Sequence, residues 1–181
     1  MRLGNYDIQS PMLLGGEMSE AEVLGASVWL WMHSSAHRDY PLHTLPTLLL
    51  PAIKRQQYAL ACRDGKPIFY LSWMWLHEEA ERRYLTKPHV LTRNEDWASG
   101  EQLWLRDVIA PFGDVMPLRH LVTGALFPEH CFRSLWHRGE TRGKRVINFR
   151  GARITPQQAR AWREAHPLAA PVRETFAGKQ P

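Results

Sequence analysis

The dipeptide Asp64-Gly65 is the feature that most restricts how this chain folds. It lies between two runs of aromatic and aliphatic residues, Tyr58–Arg63 and Pro67–Leu76. An Asp-Gly pair readily adopts the positive backbone φ angles of a two-residue hairpin turn. The two runs are therefore predicted to be antiparallel neighbours in a sheet. Further strands are predicted at Leu103–Ala110, Phe132–His137 and Arg145–Arg150.

Helix-start signals place helices around these strands. Ser19 with Glu22 forms a capping-box pattern before the apolar run Val23–Met32, which we expect to end near Ser34. Thr155 followed by Pro156 starts a last helix in a similar way. Shorter helical segments are predicted at Leu45–Arg55 and Pro117–Phe127. Together these elements predict an α+β fold, with a single mixed or antiparallel sheet flanked by helices.

The length of 181 residues fits one domain rather than two. We expect residues 1–18 to form an N-terminal extension, residues 19–166 the domain, and residues 167–181 a C-terminal tail. Both ends lack a sustained period and are expected to be flexible.

Several classes of protein are disfavoured by the composition. No apolar run reaches the 18 residues or so of a membrane-spanning helix, and the first residues lack the pattern of a secretory signal. Cys62 and Cys131 are the only cysteines, which is too few for a disulfide scaffold or a cysteine-based zinc module. A cytoplasmic location is therefore expected, although one pair could still form a bridge.

The net charge of +5 is unevenly distributed. Residues 133–181 contain eleven Lys or Arg and three Asp or Glu. Residues 1–132 contain twelve Lys or Arg and fifteen Asp or Glu. A basic segment of this kind suits an acidic partner, which could be nucleic acid, a membrane surface or an acidic protein. Composition alone favours nucleic acid, and a solvated basic face without a partner is the alternative.

Asp107 is a candidate functional residue because of its position in the predicted third strand. Simple alternation places it on one face with Leu103, Leu105 and Ile109. A carboxylate among apolar side chains is costly unless it is paired, and such groups are common in functional sites. Two alternatives are that Arg106 merely satisfies the charge, or that the register slips and Asp107 faces water.

His37 is the second candidate, because it lies in a predicted loop where an imidazole can act as a general base. A surface histidine is the alternative. Ser34 is close enough in sequence to suggest a nucleophile, but no GxSxG motif is present. The spacing of His33 and His37 suits a metal, yet HExxH and a third ligand are missing, so no metal is predicted.

Several segments together resemble the RTX toxin-activating lysine acyltransferases. The segments lie in the family's order between about residues 22 and 155, and the fainter ones are LFPEHCFRSLWH and VINFRGARI. The stronger ones are VLGASVWLWMHSSAHRDYPL (23–42), LPAIKRQQYALACRDGKPIFYLSW (50–73) and EDWASGEQLWLRDVIAPFGD (95–114).

The resemblance implies an enzyme that moves a fatty acyl group from acyl carrier protein to internal lysine side chains of an RTX protoxin. It also implies a fold like that of the GCN5-related N-acetyltransferases, a homodimer, and no cofactor beyond the acyl donor. The family's catalytic His and Asp fall on His37 and Asp107, its supporting Ser on Ser34, and a substrate-binding Tyr on Tyr70.

Acyl carrier protein is itself small and strongly acidic, so the resemblance explains the basic segment without nucleic acid. It also fits the absence of a Gly-rich pyrophosphate loop, because that donor carries no adenosine diphosphate. The apolar groove that an acyl chain needs is expected near Trp29–Met32 and Trp73–Leu76.

The sequence departs from the family pattern at Ser35-Ala36, Tyr40 and Leu48. Two other functions are considered: a non-catalytic binding module of the same fold, and a basic nucleic-acid-binding protein.

Overall fold

The computed structural model describes residues 1–113, 115–136, 143 and 145–172, without the side chains of residues 115 and 116. One sheet of seven strands runs through this part of the chain, with the spatial order β1-β2-β3-β4-β5-β6-β7. The strands are β1 (Arg2–Leu3), β2 (Tyr6–Gln9), β3 (Tyr58–Arg63), β4 (Lys66–Leu76), β5 (Gln102–Ile109), β6 (Cys131–Leu135) and β7 (Val146–Arg150).

Helices cover the sheet on both sides. The α-helices are α1 (Pro11–Leu14), α2 (Glu20–His33), α3 (Leu45–Leu48), α4 (Leu50–Lys54), α5 (Glu78–Thr86), α6 (Val115–His120) and α7 (Pro156–Ala165). Three short 3₁₀ helices lie at Leu42–Thr44, His89–Leu91 and Asn94–Trp97, and a π-helix at Leu121–Leu126 follows α6.

The central hairpin is confirmed. β3 and β4 pair antiparallel across the predicted turn, where Asp64 and Gly65 have φ angles of 51° and 73°. All neighbouring strands pair antiparallel except β5 and β6, which pair parallel because α6 and the π-helix carry the chain across between them. The predicted α+β fold with one mixed sheet is therefore confirmed.

The helix caps follow the sequence signals. The Ser19 hydroxyl accepts the N–H of Glu22, and α2 ends at His33 with Ser34 as its C-cap. Thr155 and Gln158 form a reciprocal capping box at the start of α7. The hairpin predicted from residues 132–137 and 145–150 is present as β6 and β7, while His137 lies outside the described residues.

Residues 2–9, which the sequence analysis assigns to an N-terminal extension, contain two strands of the sheet. β2 pairs with β3, and the Ile8 side chain is 1% exposed in the core. The Met1 amino group donates to the Ile8 carbonyl oxygen at 2.7 Å, and the Ser10 hydroxyl donates to the Tyr58 carbonyl oxygen at 2.8 Å. The sequence signal was missed because β1 and β2 contain only two and four residues.

The first part of the expected C-terminal tail is also held in place. Arg133 and Glu81 form a buried ion pair, with Nη1 and Oε1 2.8 Å apart. Arg133 also donates to the carbonyl oxygen of His166, and the Ala169 N–H donates to Glu81 Oε2 at 3.2 Å. The segment 167–172 is therefore anchored by polar contacts, and residues 173–181 lie outside the described part of the chain.

The two faces of the sheet have separate apolar cores. On one face, Leu30 of α2 packs with Tyr70 of β4 and Ile109 of β5. On the other face, the π-helix residue Leu121 belongs to the same cluster as Leu71 and Trp73, and Leu103 and Leu105 of β5 join it. Because both faces are covered, most residues of β4 and β5 are buried.

Candidate active site

A β-bulge in β5 shapes the centre of the site. Ser72 of β4 lies opposite Asp107, but the next residue, Trp73, lies opposite Leu105, so Arg106 is an extra residue between the two pairs. An extra residue reverses the alternation of side chains beyond it. The prediction that Leu103, Leu105, Asp107 and Ile109 share one face is therefore wrong: the first two join the core beside the π-helix, and Ile109 joins the core beneath α2.

Asp107 is 3% exposed and is surrounded by hydrogen-bond donors. Its Oδ2 accepts the Ser72 hydroxyl at 2.9 Å, and its Oδ1 accepts Arg106 Nη1 at 3.0 Å. The Nε2 of His37 lies 3.5 Å from the same Oδ1. The predicted buried carboxylate is thus present, and it has partners on its own strand, on β4 and on the loop after α2.

Burial alone would raise the pKa of Asp107. The Arg106 guanidinium, the hydrogen bond and charge of His37, and the hydrogen bond from Ser72 oppose that effect and hold the pKa well below its usual range. The carboxylate is therefore ionised at all physiological pH values. The Asp107 charge in turn offsets the burial of Arg106 and raises the pKa of that guanidinium.

His37 lies in the turn that follows α2. Its backbone N–H donates to the Ser34 carbonyl oxygen at 2.9 Å, and its side chain is 7% exposed. Ser34 Oγ and His37 Nδ1 are 2.8 Å apart, and the Trp31 ring packs against the imidazole at a centroid distance of 5.2 Å. The end of a capped helix therefore fixes the imidazole between a hydroxyl and a carboxylate.

The structure brings three of the four predicted site residues into one chain of contacts: Ser34, His37 and Asp107. Tyr70 lies beneath them on β4 with an exposed fraction of 0%. Its burial, and then the Asp107 charge, raise the pKa of the Tyr70 phenol well above its ordinary value. Tyr70 is thus a neutral wall of the site.

The sequence reasoning missed Ser72 as a partner of Asp107. The serine is separated from Asp107 by 35 residues in sequence, and the register of β4 against β5 decides their contact. A two-residue turn predicts the register of its own hairpin, whereas β4 and β5 are joined by α5 and two 3₁₀ helices.

One of the two segments expected to line an open groove lies mostly in the core, except for the half-buried Trp75, which lines a separate cavity. Trp73 and Met74 are each 0% exposed and Leu76 is 1% exposed, because helices pack on both faces of β4. The other segment does carry open apolar surface. Trp29 lies 5.4 Å from Phe112 between ring centroids, Phe112 is 44% exposed and Met32 is 64% exposed. We call Trp29, Met32 and Phe112 the apolar patch.

Comparison with known proteins identifies the family. The sequence profile of the RTX toxin acyltransferase family, HlyC, matches residues 16–150. The chain belongs to the RTX toxin acyltransferase family. All of Ser34, His37, Ser72, Arg106 and Asp107 lie within the matched range. The resemblance inferred from the sequence motifs is confirmed.

Individual relatives are similar over most of their length. The RTX-I toxin-activating lysine-acyltransferase ApxIC of Actinobacillus pleuropneumoniae is 40% identical over 139 residues, which are 76% of this chain and 79% of that relative. The protein-lysine myristoyltransferase HlyC of Escherichia coli is 39% identical over 138 residues, or 76% and 80% of the two chains. The leukotoxin-activating lysine-acyltransferase LtxC of Aggregatibacter actinomycetemcomitans is 40% identical over 140 residues, or 76% and 81%.

In the part of the chain that the structure describes, none of the helices combines the length and the apolar character of a membrane span. In the same part of the chain, no three His, Cys, Asp or Glu side chains come together in a way that could hold a metal ion. Cys62 and Cys131 are both free thiols.

Proposed function

We propose that this protein moves a fatty acyl group from acyl carrier protein to internal lysine side chains of an RTX protoxin and thereby activates the toxin. The observation that carries the proposal is the chain of contacts from Ser34 through His37 to the ionised Asp107, in a member of a family whose relatives are named lysine acyltransferases.

His37 is proposed as the general base. A lysine ammonium has a pKa of about 10.4 and cannot attack a thioester until it loses a proton. With its Nε2–H directed to Asp107, the imidazole presents Nδ1 as its basic nitrogen, and Ser34 Oγ occupies that position at 2.8 Å. Asp107 would orient the ring and stabilise its cation once the proton arrives.

The proposed transfer balances as a simple aminolysis. The lysine nitrogen forms a C–N bond to the acyl carbon, and the C–S bond to the phosphopantetheine arm breaks. A proton of the attacking amine passes to His37, directly or through the Ser34 hydroxyl, and is then delivered to the departing thiolate. Ser34 is thus a supporting residue, placed to pass on a proton or to donate to the developing oxyanion.

We propose that the acyl chain lies along the apolar patch of Trp29, Met32 and Phe112. The patch is open, whereas Trp73, Met74 and Leu76 are buried in the core. Tyr70 would form the floor of the substrate site beneath Asp107. The acyl donor is the only small group that the proposal requires, and no cofactor or metal is invoked.

We propose that the enzyme acts in the cytoplasm, as a homodimer and without nucleic acid. Sedimentation of the purified protein would measure the oligomeric state directly, and a monomer would contradict that part of the proposal.

The test is mass spectrometry of a reconstituted reaction. The purified protein, acyl carrier protein loaded with a long-chain fatty acyl group and a protoxin fragment are mixed, with His37→Ala alongside. We expect an acyl mass on substrate lysines with wild type and a loss of at least about 100-fold with His37→Ala. His43→Ala, which removes an exposed histidine from a neighbouring 3₁₀ helix, is the matched control and should retain activity.

Other outcomes separate the alternatives. Acylation of the enzyme without acylation of a lysine would indicate a covalent intermediate and the wrong acceptor. Carrier-protein binding without any transfer would favour the non-catalytic binding module. Equal transfer by wild type and His37→Ala would remove His37 from the mechanism.

A further inference from the structure

Arg106 is a buried cation at the centre of the site, and the mechanism above does not use it. Its side chain is 6% exposed, and Nη1 lies 3.0 Å from Asp107 Oδ1. Its Nε is buried without a hydrogen-bond partner among the described residues. A guanidinium withdrawn from water in this way is retained in a fold only when a counter-charge compensates it.

The geometry makes Arg106 and His37 share one oxygen atom. Asp107 Oδ1 accepts Arg106 Nη1 at 3.0 Å, while His37 Nε2 lies at 3.5 Å from the same atom. The guanidinium contact is the shorter of the two. Asp107 Oδ2 is occupied separately by Ser72. The oxygen that faces the imidazole therefore has its charge largely offset by Arg106.

The β-bulge is what allows this arrangement. In a regular strand, adjacent residues such as Arg106 and Asp107 point to opposite faces of the sheet. Here the register shift between Ser72 and Trp73 lets both side chains meet on the face beneath α2. The extra residue in β5 thus places a cation and a carboxylate side by side under His37.

We propose that Arg106 is a positioning residue that neutralises Asp107 at the oxygen facing His37, so that the carboxylate orients the imidazole without drawing a proton onto it in the resting enzyme. This inference rests on the proposed function, in which His37 must be neutral before it can accept a proton from the lysine. An uncompensated buried carboxylate would instead favour the imidazolium form, which is not a base.

The other groups around the site carry little competing charge. The phenols of Tyr40 on the same loop, Tyr70 on β4 and Tyr84 on α5 are close enough to act electrostatically on the guanidinium. Burial raises the pKa of Tyr70 and of Tyr84 well above the ordinary value, so both are neutral at physiological pH. Arg38 and Asp39 beside His37 are exposed and form an ion pair with each other, with Arg38 Nε and Asp39 Oδ2 3.9 Å apart.

The first test compares Arg106→Gln with Arg106→Lys. Gln keeps a donor for Oδ1 but removes the charge, and Lys keeps the charge. Removing the cation raises the pKa of Asp107 and favours the imidazolium, and both changes inhibit the enzyme at acid pH. We expect the acid limb of kcat/KM for acyl transfer to move up by about one pH unit in Arg106→Gln. The kcat/KM of Arg106→Gln should be about tenfold below that of wild type on the acid side, and the two values should converge at alkaline pH.

In Arg106→Lys, the acid limb of the kcat/KM profile should stay at its wild-type pH, whatever the absolute rate of this variant. A loss of activity in Arg106→Gln that is uniform at every pH, with the limb unmoved, would overturn the inference and leave Arg106 a purely structural residue. A limb that moves equally in Arg106→Lys would also overturn it.

A second measurement does not need activity. NMR of histidine-labelled protein follows the His37 ring across pH in wild type and in Arg106→Gln. Loss of the cation should let the ring protonate at higher pH in the variant by about one unit, and coincident titrations would overturn the inference. If wild type transfers no acyl group, the proposed function fails, while this comparison still decides the role of Arg106.

Discussion

At the scale of single residues, Asp107 couples the candidate site to the stability of the fold. Its pKa is lowered in the folded protein, so its ionised form stabilises the fold above the unfolded pKa of about 3.9. That stabilisation is lost as the pH falls below about 4, when the unfolded chain takes up a proton that the folded chain does not.

We therefore predict that wild type loses stability more steeply than Asp107→Asn as the pH falls from about 4 to about 2. The difference in slope should approach about 1.4 kcal/mol per pH unit, the limit for one proton. Urea unfolding at a series of pH values measures it, and the variant controls for every other carboxylate. Parallel slopes would show that Asp107 is not held ionised by its neighbours.

The residues of the site differ in how far sequence could predict them. The sequence predicted His37 and Asp107 from their chemical character, and the family resemblance predicted these two and Ser34. The structure places the three side chains in contact. Ser72 could not be predicted, because its contact depends on the pairing of strands that are distant in sequence. The shared oxygen of Arg106 and His37 depends on atomic distances that no pattern contains.

At the scale of elements, the short strand β2 is an integral part of the sheet. Ile8 is 1% exposed and lies in the same apolar cluster as Ala59, Ala61 and Phe69. We predict that Ile8→Ala lowers the free energy of unfolding by about 2–4 kcal/mol, because it leaves a cavity in that core. Chemical denaturation measures the change.

Leu3→Ala is the matched control on β1, since Leu3 is 41% exposed. We expect this variant to change the free energy of unfolding by only about 0.5 kcal/mol. Equal, small effects from the two substitutions would mean that residues 2–9 contribute little to the fold in solution, as the sequence suggested.

Elements with a strong local sequence signal were predicted correctly. Features that depend on how two strands distant in sequence pair with each other were not predicted. The Asp64-Gly65 turn and the Ser19 and Thr155 caps were visible in the sequence and are present in the structure. The bulge at Arg106 was not visible, because an extra residue leaves apolar residues at positions that still fit regular alternation. That single residue moves Asp107 away from the face predicted for it.

At the scale of the whole molecule, the uneven charge of the chain is the property most relevant to a macromolecular substrate. Residues 133–181 hold eleven basic and three acidic residues, and residues 1–132 hold more acidic than basic residues. An acidic carrier protein would approach the basic segment preferentially, and this attraction acts on association rather than on the chemical step.

We therefore predict that the KM for acylated carrier protein rises about tenfold between 50 and 300 mM salt, while kcat changes little. Arg160→Glu, which reverses an exposed charge on α7, should raise that KM about threefold at low salt. Arg82→Glu on α5 is the matched reversal outside the basic segment and should leave it unchanged. Steady-state kinetics over a salt series measures all three.

A small uncharged acyl thioester provides the decisive control, because it offers the same reacting group without the acidic surface. Its KM should not depend on salt, because an uncharged donor has no charge whose attraction to the basic segment salt could screen. A salt effect of equal size on both donors would place the charge sensitivity in the active site. An effect confined to the carrier protein would place it in the docking of the two proteins.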